Sequence, residues 1–234
     1  MVIAGAFCAA FVVGAVGFAD ALILSAIWLH VLSPAQAVPL LLMCSVIMHI
    51  GPLYKLRRDL DFSRLLPFLI GGALFIPLGT AALAYIEPNA FKRSIGALLI
   101  VVASYSLIKR HASVGEFGGR ALDGVVGAVG GFLGGFAGIS GILPTLWSGL
   151  RGWPTNRQRG AYQPYLFIIN GLTLIWFSVN GLITLDTVRD FLWCVPAIVA
   201  GSLLGIAAYR RLNETLFKRT VLALILISGI SLSV

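Results

Sequence analysis

The sequence predicts an all-α polytopic membrane protein built from two homologous halves of four apolar segments each. Three observations carry this. The chain is 59% hydrophobic and 11% charged, with a mean hydropathy of +0.96, whereas a soluble domain carries about 25% charge. Apolar runs recur along its whole length and leave no room for a soluble domain. And the chain repeats itself. Backbone in lipid must satisfy its own hydrogen bonds, which selects helices.

A spanning helix needs about 20 mainly apolar residues. The segments that meet this reading are 2–32, 34–54, 65–86, 90–108, 121–150, 160–180, 190–209 and 215–234. The N-terminus lacks the basic region of a signal peptide and has a mid-chain counterpart, so it belongs to the fold. Pro39 and Pro164 are expected to open the first turns of their helices. Trp28, Trp153, Trp176, Tyr54 and Tyr85 lie near segment ends and read as an interfacial belt. Cys8, Cys44 and Cys194 lie in apolar segments without a C-x-x-C pair and read as buried thiols. The net charge of +8 does not imply nucleic acid, because the basic residues sit in short loops where they set topology.

The repeat defines the halves. PLGTAALAYIEPNAFKRSIGALLI (77–100) and LLGIAAYRRLNETLFKRTVLALIL (203–226) agree at nine of 24 positions, at a shift of 126. GAVGFADAL (14–22) matches GGFAGISGIL (134–143) at a shift of 121, which places Gly14 and Gly17 on Gly135 and Gly138 and His49 on Asn170. The first repeat is residues 1–110, the linker 111–120 and the second repeat 121–234.

Charge tests the threading. If all eight segments cross, Lys and Arg divide nine to eight between the two sides. If the long first and fifth segments are hairpins that leave on the side they entered, the division becomes fourteen to three. Each half then crosses three times and the halves are inverted, with His30 outside and His111 inside. Both hairpin segments carry glycine in mid-course. The fifth reads GGFLGGFAGISGILP (130–144), a stretch hostile to a continuous helix. Broken helices at matching places in inverted halves point to a transporter's binding site.

A break frees N–H groups at the start of the next half-helix, where the dipole also favours anions. The expected site is an anion cradle built from Gly17, Phe18, Ala19, Asp20 and Ala21 in one half and from Gly138, Ile139, Ser140, Gly141 and Ile142 in the other. Ser140 can add a hydroxyl donor. Asp20, ionisable within an apolar segment, either carries a proton or caps the following half-helix. His49, Gln163 and Asn170 either line the cavity or bond a neighbouring helix. Arg157 and Arg159 can draw an anion to the mouth, although Arg157 reads first as a topology anchor. The glycines at 130, 134 and 138 and at 131 and 135 also have the spacing of close helix packing. No P-loop, G-x-S-x-G or metal cluster is present, so no enzyme and no cofactor is expected.

GGFLGGFAGISGILPTLWSGLRGWPTNRQRGAYQPY (130–165) resembles the signature region of the TauE/SafE family, the bacterial sulfite-exporter-like permeases. The chain departs from the pattern at Ser140-Gly141-Ile142 and at Phe18-Ala19-Asp20-Ala21, where the family's glycine-rich core is thinned. The resemblance implies movement of sulfite or organosulfonates across the inner membrane. The partners expected are a small anion, the bilayer and, as an open matter, a second copy of the chain. The rival reading is a non-transporting membrane subunit whose glycines serve packing and partner contacts. A membrane-embedded enzyme ranks last.

Overall fold

The computed structural model describes residues 1–17, 19–56, 62–108, 117–209 and 214–233. Among these there are ten helices and no strand: α1 Val2–Val16, α2 Asp20–Trp28, α3 Pro34–Leu56, α4 Phe62–Tyr85, α5 Pro88–Ile108, α6 Gly119–Ala137, α7 Ile142–Leu150, α8 Thr155–Val179, α9 Leu185–Tyr209 and α10 Glu214–Ser233. The expected linker 111–120 therefore ends inside α6, and its residues 111–116, with His111, lie outside the described residues.

Among the described residues, four helices are long and apolar enough to cross a membrane: α3 over Pro34–Tyr54, α4, α5, and α9 over Leu185–Ala208. Eight segments had that expectation. The first and fifth are each cut in two, α10 offers only a shorter apolar stretch, Arg219–Ser233, and α8 begins with the polar run Thr155–Arg159 and carries Gln163 and Asn170 inside.

The helix starts have local causes. Ser33 precedes α3, and Gln36 Oε1 accepts from the Ser33 N–H at 3.3 Å and from its hydroxyl at 3.0 Å, so the Gln36 side chain reaches back to fix the residue ahead of Pro34. Thr184 Oγ1 accepts from the Thr187 N–H at 3.2 Å ahead of α9. The prolines that open helices are Pro34 and Pro88. Pro39 lies within α3 and Pro164 inside α8, a correction to the sequence reading; α3 already begins at Pro34, and α8 begins in the polar run Thr155–Arg159, which apolar patterning does not mark as helix.

Both broken segments double back. In the first, the Trp28 indole N–H at the end of α2 donates to the Val2 carbonyl at the start of α1, 3.0 Å away. In the fifth, Arg151, just past α7, donates to the Gly119 carbonyl at 2.7 Å and pairs with Asp123 at 2.9 Å. At the bend, a Cβ on Gly130 would meet the Ser140 carbonyl oxygen at 2.8 Å. Nineteen residues of α6 run for about 28 Å at 1.5 Å per residue, and the nine of α7 return along them. Trp28 is consequently fully buried and does not belong to an interfacial belt, unlike the exposed Tyr54, Tyr85 and Trp176.

The chain forms two compact units. One comprises Met1–Cys44, Ile86–Lys109 and Ile183–Val234, the other Ser45–Tyr85 and Arg110–Leu182. Each therefore takes helices from both the 1–110 and the 121–234 stretches. In the first unit α1 packs on α9 and α5 on α10; in the second α4 packs on α6 and α8, and α7 on α6 and α8.

Glycine permits the two tightest contacts. A Cβ on Gly14 would run into the Ser202 carbonyl oxygen, and one on Gly205 into that of Phe11. In the second unit a Cβ on Gly135 would run into the Ile76 carbonyl, and one on Gly79 into that of Phe132. The shifts of 121 and 126 read from the sequence carry each of the first pair onto one of the second: Gly14 to Gly135, Ile76 to Ser202, Phe11 to Phe132 and Gly79 to Gly205. The Cys44–Cys194 thiol contact maps in the same way onto the edge-on ring contact of Tyr165 and Phe68, with centroids 6.3 Å apart. Cys44 and Cys194 are buried as expected, but Cys8 is exposed.

Candidate functional site

In the second unit, α6 ends where Gly138 takes the left-handed conformation, φ 72° and ψ 13°. Its N–H donates to the Gly134 carbonyl at 2.9 Å, and the Ile139 N–H reaches back to Leu133 at 3.2 Å. The two bonds form the glycine-closed helix end that satisfies orphan carbonyls. The chain then turns at Ser140 and Gly141, and Gly141 caps α7 without a side chain. The opening turn of α7 presents the N–H groups of Ile142 and Leu143. Pro144 has none, and the Thr145 N–H bonds the Gly141 carbonyl at 3.1 Å. The break leaves a positive helix end inside the protein.

Ser140 is fully buried, and its hydroxyl donates to Asn170 Oδ1 at 2.6 Å. Asn170 Nδ2 in turn donates to Ser45 Oγ at 3.0 Å. This chain of three buried side chains joins the bend to α8 and to α3. Ser140 therefore gives its one proton to Asn170, where the sequence reading offered it to a ligand. Ser45 escaped that reading, though the signal was there: it lies four residues before His49, on the same helix face. His49 is fully buried on α3, and Gln163 is buried on α8 seven residues before Asn170. Thr173 Oγ1, near the bend, donates to the Ile169 carbonyl at 2.8 Å.

In the first unit, α1 ends at Gly17 with φ 83° and ψ 13°, the backbone state of its sequence counterpart Gly138. Its N–H donates to the Val13 carbonyl at 2.8 Å. Phe18 lies outside the described residues. Ala19 is left-handed as well, φ 78°, and is the sole non-glycine with positive φ among the described residues. A side chain there is strained, and such strain gathers at functional sites. Ala19 is the N-cap of α2, and it has no capping side chain. Asp20 is therefore not the cap: it is the first residue of α2, buried at 3% exposure, with its carboxylate at the positive helix end. Ala21 follows it, half-buried.

The glycines of α6 divide by face. Gly127, Gly131 and Gly135 press on the α4 backbone, whereas Gly130 and Gly134 face Tyr165 and Ser140. The packing spacing and the break are thus both present in one helix.

A second polar cluster, at the open end of the α6–α7 hairpin, was not expected. Asp123 and Arg151 form a buried ion pair at 2.9 Å. The Trp147 indole N–H donates to the same Asp123 oxygen at 2.8 Å. Arg151 also donates to the carbonyls of Gly119 and Phe117. Trp153 is buried at 6% exposure, another departure from the interfacial belt, because three guanidinium groups cover its ring.

A family model described as Sulfite exporter TauE/SafE matches residues 2–232 of the 234. Neither a curated protein nor a solved structure matches the chain. The match covers both hairpins, the four long apolar helices and the glycine-closed breaks, and it marks a multi-pass integral membrane protein. The chain belongs to the TauE/SafE family.

Proposed function

We propose that the chain is a permease that moves a small sulfur-containing anion, sulfite or a sulfonate, across the inner membrane by alternating access between two inverted halves. The observation that carries this is the pair of hairpins. Each is broken at a sequence-matched glycine with the same left-handed backbone, and each break begins a short helix whose positive end is inside the protein. In this reading the amides at Gly17–Ala21 in one unit and those at Gly138–Ile142 in the other are the groups that bind the anion, with His49, Gln163 and Asn170 as polar groups of the second unit. The recurrence of the same glycine-to-carbonyl contacts under the two sequence shifts supports a duplication. The positive-inside rule then gives the halves opposite orientations. A negative interior drives an anion outward by about 2.3 kcal/mol per charge per 100 mV, so export needs no coupled ion. Import would need one, and Asp20 is the group to carry a proton.

The packing of Gly127, Gly131 and Gly135 on α4 favours the rival reading of a non-transporting subunit. Vesicles reconstituted with the purified protein and loaded with sulfite decide between them. Saturable efflux is expected, with thiosulfate, sulfoacetate and taurine as competitors to rank. The absence of flux for every one of these anions would leave the subunit reading.

A further inference from the structure

We propose that the groove between α4 and α6 binds one molecule of an anionic phospholipid, with an acyl chain along the groove and the phosphate on Arg120. The two helices belong to the second unit and run the same way, since the glycine contacts climb both in step, Gly71 on Gly124 and Gly79 on Phe132. A groove of about 680 Å³ lies between them. Gly71, Gly124 and Ala128 are half-buried in it, and the larger Leu66, Ile70 and Val125 stand exposed beside them. The small residues leave the space that the large ones border. Among the described residues that line it, only Ser63 and Arg120 have polar side chains, and both lie in the first turn of their helices. Arg120 is exposed, and its guanidinium donates to Ser63 Oγ at 2.9 Å. That bond holds a cation at the mouth of an apolar channel.

Length and charge select the occupant. From Arg120 to Val129 the axis of α6 rises about 14 Å at 1.5 Å per residue. From Ser63 to Phe75 the axis of α4 rises about 18 Å. One leaflet contributes about 15 Å, half of the hydrocarbon core. The groove is therefore as long as one acyl chain is deep, and its polar end is where a headgroup sits. Arginine suits a phosphate because its planar fork gives two parallel donors, and basic pockets between membrane helices are a recurrent form of headgroup site. A second copy of the chain fits less well. It has nine acidic against 17 basic residues, so it brings Arg120 more like charge than unlike, whereas a phosphate brings the opposite charge on every molecule. A small soluble anion would use Arg120 and leave the apolar length of the groove without a role.

The positive-inside threading puts the mouth in the inner leaflet; only that placement rests on the proposed function, and the binding does not. The test uses the full-length protein in phosphatidylcholine nanodiscs doped with phosphatidylglycerol whose acyl chain carries a diazirine. Light fixes the lipid to what it touches, and peptide mass spectrometry locates it. Labelling within 66–75 and 124–129 should saturate as the mole fraction of the probe rises. The half-saturating fraction should rise roughly tenfold in Arg120→Gln, as loss of a charged hydrogen bond implies, and stay unmoved in the control Arg93→Gln. Gly124→Leu should abolish the labelling: a Cβ there meets only the Pro67 carbonyl oxygen, at 3.7 Å, and the rest of the side chain enters the groove. Arg120 is exposed, so its variant reads the site even where Gly124→Leu fails to fold. Labelling spread evenly over the exposed faces of α4 and α9, or equal midpoints in the two arginine variants, overturns the site. Equal labelling by a diazirine phosphatidylcholine overturns it as well. Displacement of the probe by inorganic phosphate assigns Arg120 to a soluble anion, and a disulfide between two copies carrying Ala121→Cys assigns the groove to a second chain; either overturns the proposal. Sulfite flux is read separately. Labelling without flux keeps the groove and sinks the permease reading; flux without labelling does the reverse.

Discussion

Ser140 and Asn170 offer a direct way to ask whether the bend is held by the protein or waits for a ligand. Asn170→Leu keeps the volume close and removes two hydrogen bonds, the 2.6 Å bond from Ser140 and the 3.0 Å bond to Ser45. Side-chain hydrogen bonds between membrane helices average about 0.6 kcal/mol and reach about 1.7. The two together predict a loss of about 1 to 3 kcal/mol. Ser140→Ala removes one bond and should cost about 0.6 to 1.7 kcal/mol. The double variant should be hardly less stable than Asn170→Leu, because the shared bond is already gone. The coupling energy in a double-mutant cycle is then about the value of one bond, above the roughly 0.3 to 0.5 kcal/mol within which independent sites add. Reversible unfolding of the detergent-solubilised protein in SDS supplies the four stabilities. Additivity would refute the assignment of the Ser140 proton to Asn170. Transport kinetics provide a second check. A hydroxyl given directly to an anion contributes about 1.5 to 3 kcal/mol, so its removal would raise KM for sulfite by roughly tenfold or more. The structure predicts a smaller change for Ser140→Ala.

Four further outcomes follow from the same geometry. Gly135→Val and Gly14→Val, at matched positions against carbonyl oxygens, should each cost at least about 1 to 3 kcal/mol by overpacking, whereas Gly171→Ala, with nothing within 4 Å of the new methyl, should stabilise α8 by about 0.5 to 1 kcal/mol; the same SDS unfolding reads all three. Arg151→Gln, which leaves Asp123 buried without its cation, should cost about 3 to 5 kcal/mol, and Asp123→Leu with Arg151→Met should recover most of it. Cysteines placed at Phe117 and Gly152 should label from the same membrane face, because Arg151 bonds the Phe117 carbonyl at 3.3 Å; labelling from opposite faces would refute the hairpin. Asp20→Asn should flatten the pH dependence of flux if Asp20 carries a proton, and an unchanged profile removes that role.

What the sequence made legible was what glycine and charge write locally. Gly17 and Gly138 were found because a Gly-rich run in an apolar segment has few other meanings, and the hairpins because fourteen of the 17 Lys and Arg fall on one side only if the segments return. What stayed hidden depended on partners distant in sequence. Asn170 meets Ser45 across 125 residues, and the only local mark on Ser45 is its spacing of four from His49, which does not name its partner. The belt assignment failed at Trp28 and Trp153 for one reason: a hairpin brings its end back against its own beginning, so an aromatic residue at the end of the segment finds a protein surface before it finds the lipid interface. Asp20 missed the cap position by a single residue, since the left-handed Ala19 starts the helix one residue earlier than an Asp20 cap would.

The differences between the matched halves say more about function than the likenesses do. Under the shift of 121, Asp20 stands where the second half has Gly141, Ala19 where it has Ser140, and His49 where it has Asn170. Each short helix brings about half a positive charge to its start. At the α7 start Gly141 has no side chain, and the side chains described beside it, Ser140, Asn170 and Thr173, are neutral. At the α2 start a full negative charge on Asp20 outweighs it. On the proposed transport reading, the two breaks would differ in their pull on an anion while Asp20 is ionised, the α7 break having the stronger preference and the α2 break gaining it on protonation of Asp20. A carrier built this way would bind its anion more tightly as Asp20 is protonated, so sulfite KM should fall with falling pH in the parent protein and should be low and flat in Asp20→Asn. The opposite order, a KM that rises in Asp20→Asn at every pH, would mean that the carboxylate holds the α2 start in shape and has no electrostatic quarrel with the ligand.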